Sequence, residues 1–302
     1  MSLISTSTVA ANLKDTLEAI IDDKTDGAES RMDMPKYFTV GSMRDAFEDD
    51  QEYGGLPLAS EKEEGGEIAV GRINEGVTTR YLARTYAISM IVSQEAYEDS
   101  KYDEVINSTK RLKLAMFLTA DYDAATFIGR GWNASYPIGD GLSLFNASHT
   151  LPGTGTFSNT MATPMSPSVA AVTAARAQAV QYLGHNGLIM GNMLEKVCAP
   201  PAQWAVWTGL LGSEMRPDAG NFSEINVVKK LSLDLVEIRR WTASTTNYFF
   251  LTDARNGLKW KWRKRPTSQS WVNNDNMVEK FAVRARWDRN CSEPRSVLGV
   301  QA

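Results

Sequence analysis

The chain has 302 residues, 43% of them hydrophobic and 23% charged, with a net charge of −4; it is long enough to bury a substantial core as one large domain or two interleaved ones. No run approaches the eighteen or so uninterrupted apolar residues of a membrane helix, and residues 1–10 lack the basic and apolar regions of a secretory leader, so a soluble protein of the cytoplasm is expected. Cys198 and Cys291 lie far apart, show no metal-ligand spacing and would be kept reduced in a cytoplasm, which predicts free thiols, Cys198 buried as a small hydrophobe.

Charge is unevenly spread: residues 1–70 carry 16 acids and 6 bases, residues 71–302 carry 20 acids and 26 bases. Contacts between copies can use such an asymmetry, although two solvated surfaces would show it as well. In chain order, residues 1–44 hold one short amphipathic stretch at 9–21 and a polar run at 22–33, which predicts an arm more than a core. Residues 47–76 are acidic and punctuated by glycines around short apolar pieces, Leu56-Pro57-Leu58 and Ile68-Ala69-Val70, a spacing suited to an extended hairpin. Alternation over 81–92 predicts a strand. From 95 to 128 apolar residues recur at three and four, and the unbroken part, 103–128, predicts one helix of about 40 Å.

Residues 129–166 are rich in Gly, Ser, Thr, Asn and Pro, as interface or functional loops are. A second helix is predicted over 168–183 with Pro167 near its start, a short strand at 196–199, and a helix at 202–211 with Pro201 just inside it. Three half-buried strands are read from alternation: Leu231, Leu233 and Leu235; Leu258, Trp260 and Trp262; and Phe281, Val283, Ala285 and Trp287.

No sequence feature supplies a reacting centre. Only His149 and His185 are present; His149 lies in a loop beside Ser148 without a motif, and His185-Asn186-Gly187 reads as a helix exit and turn. There is no phosphate-binding glycine loop, since Gly139-Asp140-Gly141 and Gly153-Thr154-Gly155 are followed by no helix start. Glu61, Glu63, Glu64 and Glu67 form a carboxylate run of the kind that faces solvent or a partner. The densest cations, Lys259, Lys261, Arg263, Lys264 and Arg265, interleave with Trp260 and Trp262. That pattern suits single-stranded nucleic acid, but strict alternation puts both indoles on one face, which favours packing. No catalytic residue, metal site or cofactor is assigned.

The order of these pieces resembles the major capsid proteins of tailed bacteriophages, the Hong Kong 97-type fold. Tyr53-Gly54-Gly55-Leu56-Pro57 with Glu63-Glu64-Gly65-Gly66-Glu67 resembles the start and tip of that family's E-loop hairpin, and Thr79-Arg80-Tyr81-Leu82-Ala83-Arg84-Thr85-Tyr86-Ala87-Ile88-Ser89 the strand leading to its spine helix. Gly141-Leu142-Ser143-Leu144-Phe145-Asn146-Ala147-Ser148-His149 is similar to the loop that follows that helix, and is the most specific of these strings.

The resemblance implies an α+β fold with an N-terminal arm at 1–44, an E-loop at 45–80, a peripheral domain with the spine helix at 81–166, an axial domain mainly at 167–250, and strands returning to the peripheral domain at 251–302. It implies a structural protein, not an enzyme, that self-assembles through pentamers and hexamers into an icosahedral head around double-stranded DNA. The virion would be its destination, after synthesis in the host bacterial cytoplasm. Further implied partners are a portal, packaged DNA held non-specifically and, because the long charged helical extension of some relatives is missing, a separate scaffolding protein; no membrane is implied. An encapsulin-type nanocompartment with an enzyme cargo is the alternative. For contact between subunits the chain offers Leu56, Leu58, Ile68 and Val70 as apolar anchors. The acids Glu61, Glu63, Glu64 and Glu67 would dock on cations from Lys110, Arg111, Lys113, Lys259, Lys261 and Arg263.

Overall fold

The computed structural model describes residues 19, 29–73, 75–93, 102–151, 155–216, 224–255, 257–273 and 278–302. The predicted stretch at 9–21, save residue 19, and the start of the helix predicted from 95 lie outside the described residues. The described strands are β1 (Thr39–Ser42), β2 (Phe47–Tyr53), β3 (Glu75–Leu82), β4 (Arg84–Ser93), β5 (His149–Leu151), β6 (Gly155–Phe157), β7 (Leu194–Ala199), β8 (Asp234–Glu237), β9 (Tyr248–Thr252), β10 (Leu258–Asn273), β11 (Val278–Cys291) and β12 (Val297–Val300). The helices are α1 (Tyr102–Gly129), α2 (Val169–Val180) and α3 (Trp204–Gly212).

With no proline and no glycine before its last residue, α1 runs unbroken for 28 residues, about 42 Å at 1.5 Å per residue. Its stripe Leu112, Met116, Ala120, Ala124 and Ile128 recurs at fours and is buried against a sheet of order β1-β10-β11-β4. The long antiparallel pair β10·β11 slips register between Lys264 and Thr267, where Pro266 has no N–H to give the ladder. Trp260, Trp262, Phe281, Val283, Ala285 and Trp287 all point into this first core. The indoles pack on each other at 5.3–5.5 Å, and Tyr86 stacks flat on Trp287 at 3.9 Å. Packing is therefore the role of the tryptophans in the basic strand, and neither Trp260 nor Trp262 is open to a nucleobase.

A second sheet, β12-β9-β7-β8, separates the first core from another formed under α2 and α3. Alternation divides its side chains between the two: Phe249, Cys198 and Val297 face the first core, Tyr248, Phe250, Val197 and Leu298 the second. Helix α2 starts where Ser168 Oγ accepts from Ala171 N at 3.1 Å, an N-cap, and α3 follows a 3-10 turn at Pro201–Gln203.

Several expectations need correction. Residues 32–43 are not arm: Met32, Met34, Tyr37, Phe38 and Met43 are buried, and β1 pairs with β10 in parallel. The strand expected over 81–92 is two strands, β3 and β4, parted at Ala83 and placed in different sheets. Of the strand read from Leu231 to Leu235 only β8 exists. Lys229–Leu231 is a 3-10 turn and Ser232 takes φ +50, the left-handed region where a strand cannot continue.

The N-terminal segment is held by a buried ionic knot. Asp121 Oδ1 on α1 accepts from Asp33 N at 3.0 Å and Met34 N at 2.8 Å, and its Oδ2 pairs with Arg240 at 2.6 Å. Asp33 in turn takes Arg239 at 2.8 Å. Removing one partner leaves buried charge and two N–H groups uncompensated, so Asp121→Ala should destabilise folding by about 3–5 kcal/mol. A chemical-denaturation midpoint unmoved by this change would show that the knot holds nothing.

Candidate functional site

β2 and β3 pair antiparallel from Phe47↔Leu82 to Tyr53↔Glu75, and the chain between them leaves the body of the subunit. Every described residue from 55 to 73 is exposed. Leu56, Leu58, Ile68 and Val70 are 56%, 76%, 78% and 92% exposed, far more than isolated apolar residues on a folded surface require. Asn186 Nδ2 ties the hairpin back by donating to Leu56 O at 2.9 Å.

The hairpin's root, in contrast, is locked into the subunit by charge. Asp49 takes Arg80 through two bonds of 2.7 Å across the two strands. Asp50 accepts from Lys259 Nζ at 2.7 Å, Lys261 Nζ at 2.8 Å and Ser292 Oγ at 3.1 Å, and Lys261 also lies 4.2 Å over the Tyr81 ring. Glu52 enters a buried cluster: its Oε1 lies 2.5 Å from His185 Nε2 and contacts the Arg295 guanidinium. Arg295 forks onto Glu293 with two bonds of 2.6 Å and donates to Leu183 O at 2.9 Å. Burial, and after it the hydrogen bond and charge of Glu293, push the Glu52 carboxyl up to about 9. Gly76 is required opposite, because a Cβ there would lie 2.9 Å from the Glu52 side chain.

The predicted contact residues divide accordingly. Leu56, Leu58, Glu61, Glu63, Glu64, Glu67, Ile68 and Val70 project on the hairpin, while Lys110 and Arg111 on α1 and Arg263 on β10 are exposed. Lys113 is buried, and Lys259 and Lys261 are drawn inward by the chain's own Asp50, with Glu48 a further 3.3 Å partner of Lys261. As outward docking cations those three are therefore corrected. The acids at the hairpin root are answered within the same chain, and Glu61, Glu63, Glu64 and Glu67 near the tip are exposed.

Sequence reasoning missed the root cluster, since Glu52, His185, Glu293 and Arg295 are brought together only by folding. The turn at His185 was legible, with Gly187 at φ +73, but its buried carboxylate partner was not. His149 is likewise a tie: Nδ1 meets Asp140 Oδ2 at 2.5 Å and Nε2 meets Asn159 Oδ1 at 3.1 Å, so both ring nitrogens are engaged in fastening the loop after α1. Cys198 and Cys291 are buried free thiols, and burial pushes Cys291 up to about 12. An open cavity of about 630 Å³ at the hairpin root is lined by Asp50, Glu52, Tyr53, Asn192, Arg255 and Lys259 among others. Among the described residues no group of His, Cys, Asp and Glu is arranged to hold a metal ion, and no helix is long and apolar enough to cross a membrane.

No protein-family model and no curated protein matches the chain. Its fold, however, is found in solved structures over nearly its whole length. A chain from Microbacterium phage Oxtober96 superposes with a TM-score of 0.56 at 12% identity, covering 99% of both chains. The procapsid of bacteriophage JBD30 gives 0.55 at 12% identity over 99% of this chain and 76% of that one. A virus-like particle from Pyrococcus furiosus gives 0.53 at 9% identity over 95% and 98%. The chain thus has a mixed helix-and-strand fold shared with phage capsid subunits, and the resemblance read from its sequence is borne out at the level of fold.

Proposed function

We propose that this chain is the major capsid subunit of a tailed bacteriophage head, of the Hong Kong 97 type, which self-assembles through pentamers and hexamers into an icosahedral shell around double-stranded DNA. The observation that carries the proposal is the hairpin: an arm with four exposed apolar anchors and a root locked by buried charge is built to engage something outside its own subunit. Its function is structural, and no step of chemistry is asked of the chain. In this reading residues 45–80 are the E-loop and α1 the spine of a peripheral domain spanning 81–166 and 251–302. Residues 167–250 form most of an axial domain, and the part of 1–44 preceding the buried anchor serves as the arm. A portal and a separate scaffolding protein complete the assembly, and the subunit passes from the host cytoplasm into the virion. The fold neighbours do not favour the nanocompartment alternative.

Hairpin docking combines burial of Leu56, Leu58, Ile68 and Val70 with steering by Glu61, Glu63, Glu64 and Glu67 towards Lys110, Arg111 and Arg263 of a neighbouring copy. Each exposed pair contributes about 0–1 kcal/mol and is screened by salt, but a shell repeats it many times. Purified protein viewed by negative-stain electron microscopy should show closed shells or their capsomers; a monomer at every concentration would overturn the proposal. Reversing the four glutamates to lysine should reduce assembly yield at low salt and leave subunit folding intact, whereas an unchanged yield and salt dependence would remove the steering role.

A further inference from the structure

In the order β1-β10-β11-β4, strand β4 pairs with β11 alone among the described residues and so forms one edge of the first sheet. Every second residue from 84 to 92 therefore turns its N–H and C=O groups away from β11 with no ladder partner among those residues. Natural proteins guard an edge of this length with a lysine, a proline, a bulge or a cover. β4 keeps an unbroken register with β11 and, after Arg84, carries no charge and no proline up to Ser93. Ile88 and Ile91 are 40% and 60% exposed on it. Such a strand is a template on which another strand can be added.

The hairpin supplies a strand in search of a sheet. Residues 66–73 are exposed and belong to no strand among the described residues, yet Ile68 and Val70 alternate with Ala69 and Gly71 in the period of two that a half-covered strand requires. Extended, residues 67–73 span about 23 Å, enough to cover most of β4. The hairpin of the same subunit is directed elsewhere. Asn186 holds Leu56 beside the turn after α2, whereas β4 leads from Ala83 along β11 to Val278, away from the hairpin root, whose Asp50 meets Ser292 just past the other end of β11.

Charge selects the occupant. Lys264 stands directly opposite Arg286 in the β10·β11 ladder, and Arg284 lies two residues along the same face; like charges so placed repel unless an anion answers them. The Nε atoms of Arg284 and Arg286 are buried without a hydrogen-bond partner among the described residues, and Arg84 is exposed at the start of β4. A second copy of β4 would bring more of the same sign. A nucleic acid could answer the cations, but it offers no alternating donors and acceptors to the edge and no apolar cover to Ile88 and Ile91. The hairpin brings all three, since Glu63, Glu64 and Glu67 stand at the head of its free strand. We propose that residues 67–73 of one copy add as a further strand to the β4 edge of another, with those carboxylates meeting Arg84, Arg284 and Arg286. The inference rests on the shell reading above and gives the docked hairpin a backbone partner.

Its test is a cross-link between two differently marked chains. Cys198 and Cys291 are buried, so Ala87→Cys on β4 and Ala69→Cys on the hairpin each place one accessible thiol at an exposed alanine. Treated with a short bismaleimide, assemblies formed from a mixture of the two proteins should join one chain of each kind at least tenfold more often than two of the same kind. A predominance of products joining two Ala87→Cys chains assigns the edge to β4 pairing with itself and overturns the proposal. Intact assemblies that give no mixed product overturn it too, whatever else covers the edge. A companion variant, Ala69→Pro with Arg72→Pro, removes one N–H from each side of the added strand and leaves Ile68 and Val70 in place. It should keep the subunit's circular dichroism and lower the assembly yield at least tenfold, whereas Ala69→Ser with Arg72→Ser, which keeps both N–H groups, should assemble normally. Equal yields from the proline and serine variants overturn backbone pairing. Absence of assemblies in the unmodified protein overturns the shell reading, and this inference with it.

Discussion

Arg295→Ala is expected to destabilise the subunit by about 3–5 kcal/mol, because it removes one partner of a buried ion cluster and leaves the others charged or unbonded. Arg295 is 2% exposed and distributes its donors over Glu293, Glu52 and Leu183 O. Without the guanidinium, Glu293 stays buried with no bidentate cation, and the buried Glu52 carboxyl loses the hydrogen bond it accepts from Arg295. Lysine should not rescue the site, since it cannot present two parallel N–H groups to one carboxylate while reaching a carbonyl. The damage should concentrate at the hairpin root: amide exchange in β2 and β3 should accelerate far more than in α1. Uniform acceleration throughout the subunit, or a denaturation midpoint within error of the unmodified protein, would contradict the cluster's role as the hairpin's anchor.

The anchor was hidden from sequence reading for a physical reason. Glu52, His185, Glu293 and Arg295 carry no spacing that links them, and each alone looks like a surface or turn residue. Periodicity found α1, β10 and β11, because one face of each is buried and the other is not. It missed β9 and β12, where Tyr248-Phe249-Phe250-Leu251 and Val297-Leu298-Gly299-Val300 are buried on both faces and read as continuous apolar runs. The N-terminal anchor reads as arm in the sequence because Met32, Met34, Tyr37 and Phe38 follow no helical or strand period; a 3-10 turn at Met34–Lys36 and the Asp33–Asp121 contacts give them their places. At the hairpin, glycine spacing and acidic composition sufficed to predict an extended, exposed excursion. What composition concealed was that the acids nearest its root are answered within the same chain.

The hairpin anchor should also make the subunit sensitive to alkali. Burial and the neighbouring Glu293 push Glu52 up to about 9, against an ordinary value of 4.5, so folding takes up a proton at every pH between those values. Stability then falls as pH rises through that window, because the unfolded chain binds fewer protons than the folded one. Glu293 has the opposite sign: burial alone would raise it, but the hydrogen bonds and charge of Arg295 hold it below its ordinary range. Its contribution is therefore present above about 4.5 and is lost on acidification. Between pH 5 and 9 the Glu52 contribution dominates, and the thermal midpoint of the subunit should decline across this range. Glu52→Gln offers an amide that can donate to His185 Nε2 and a carbonyl that can accept from Arg295, but has no proton to lose. Its midpoint should decline measurably less from pH 5 to 9 than that of the unmodified protein, with the two diverging most at the alkaline end. Parallel curves would show that Glu52 does not hold its proton in the folded subunit.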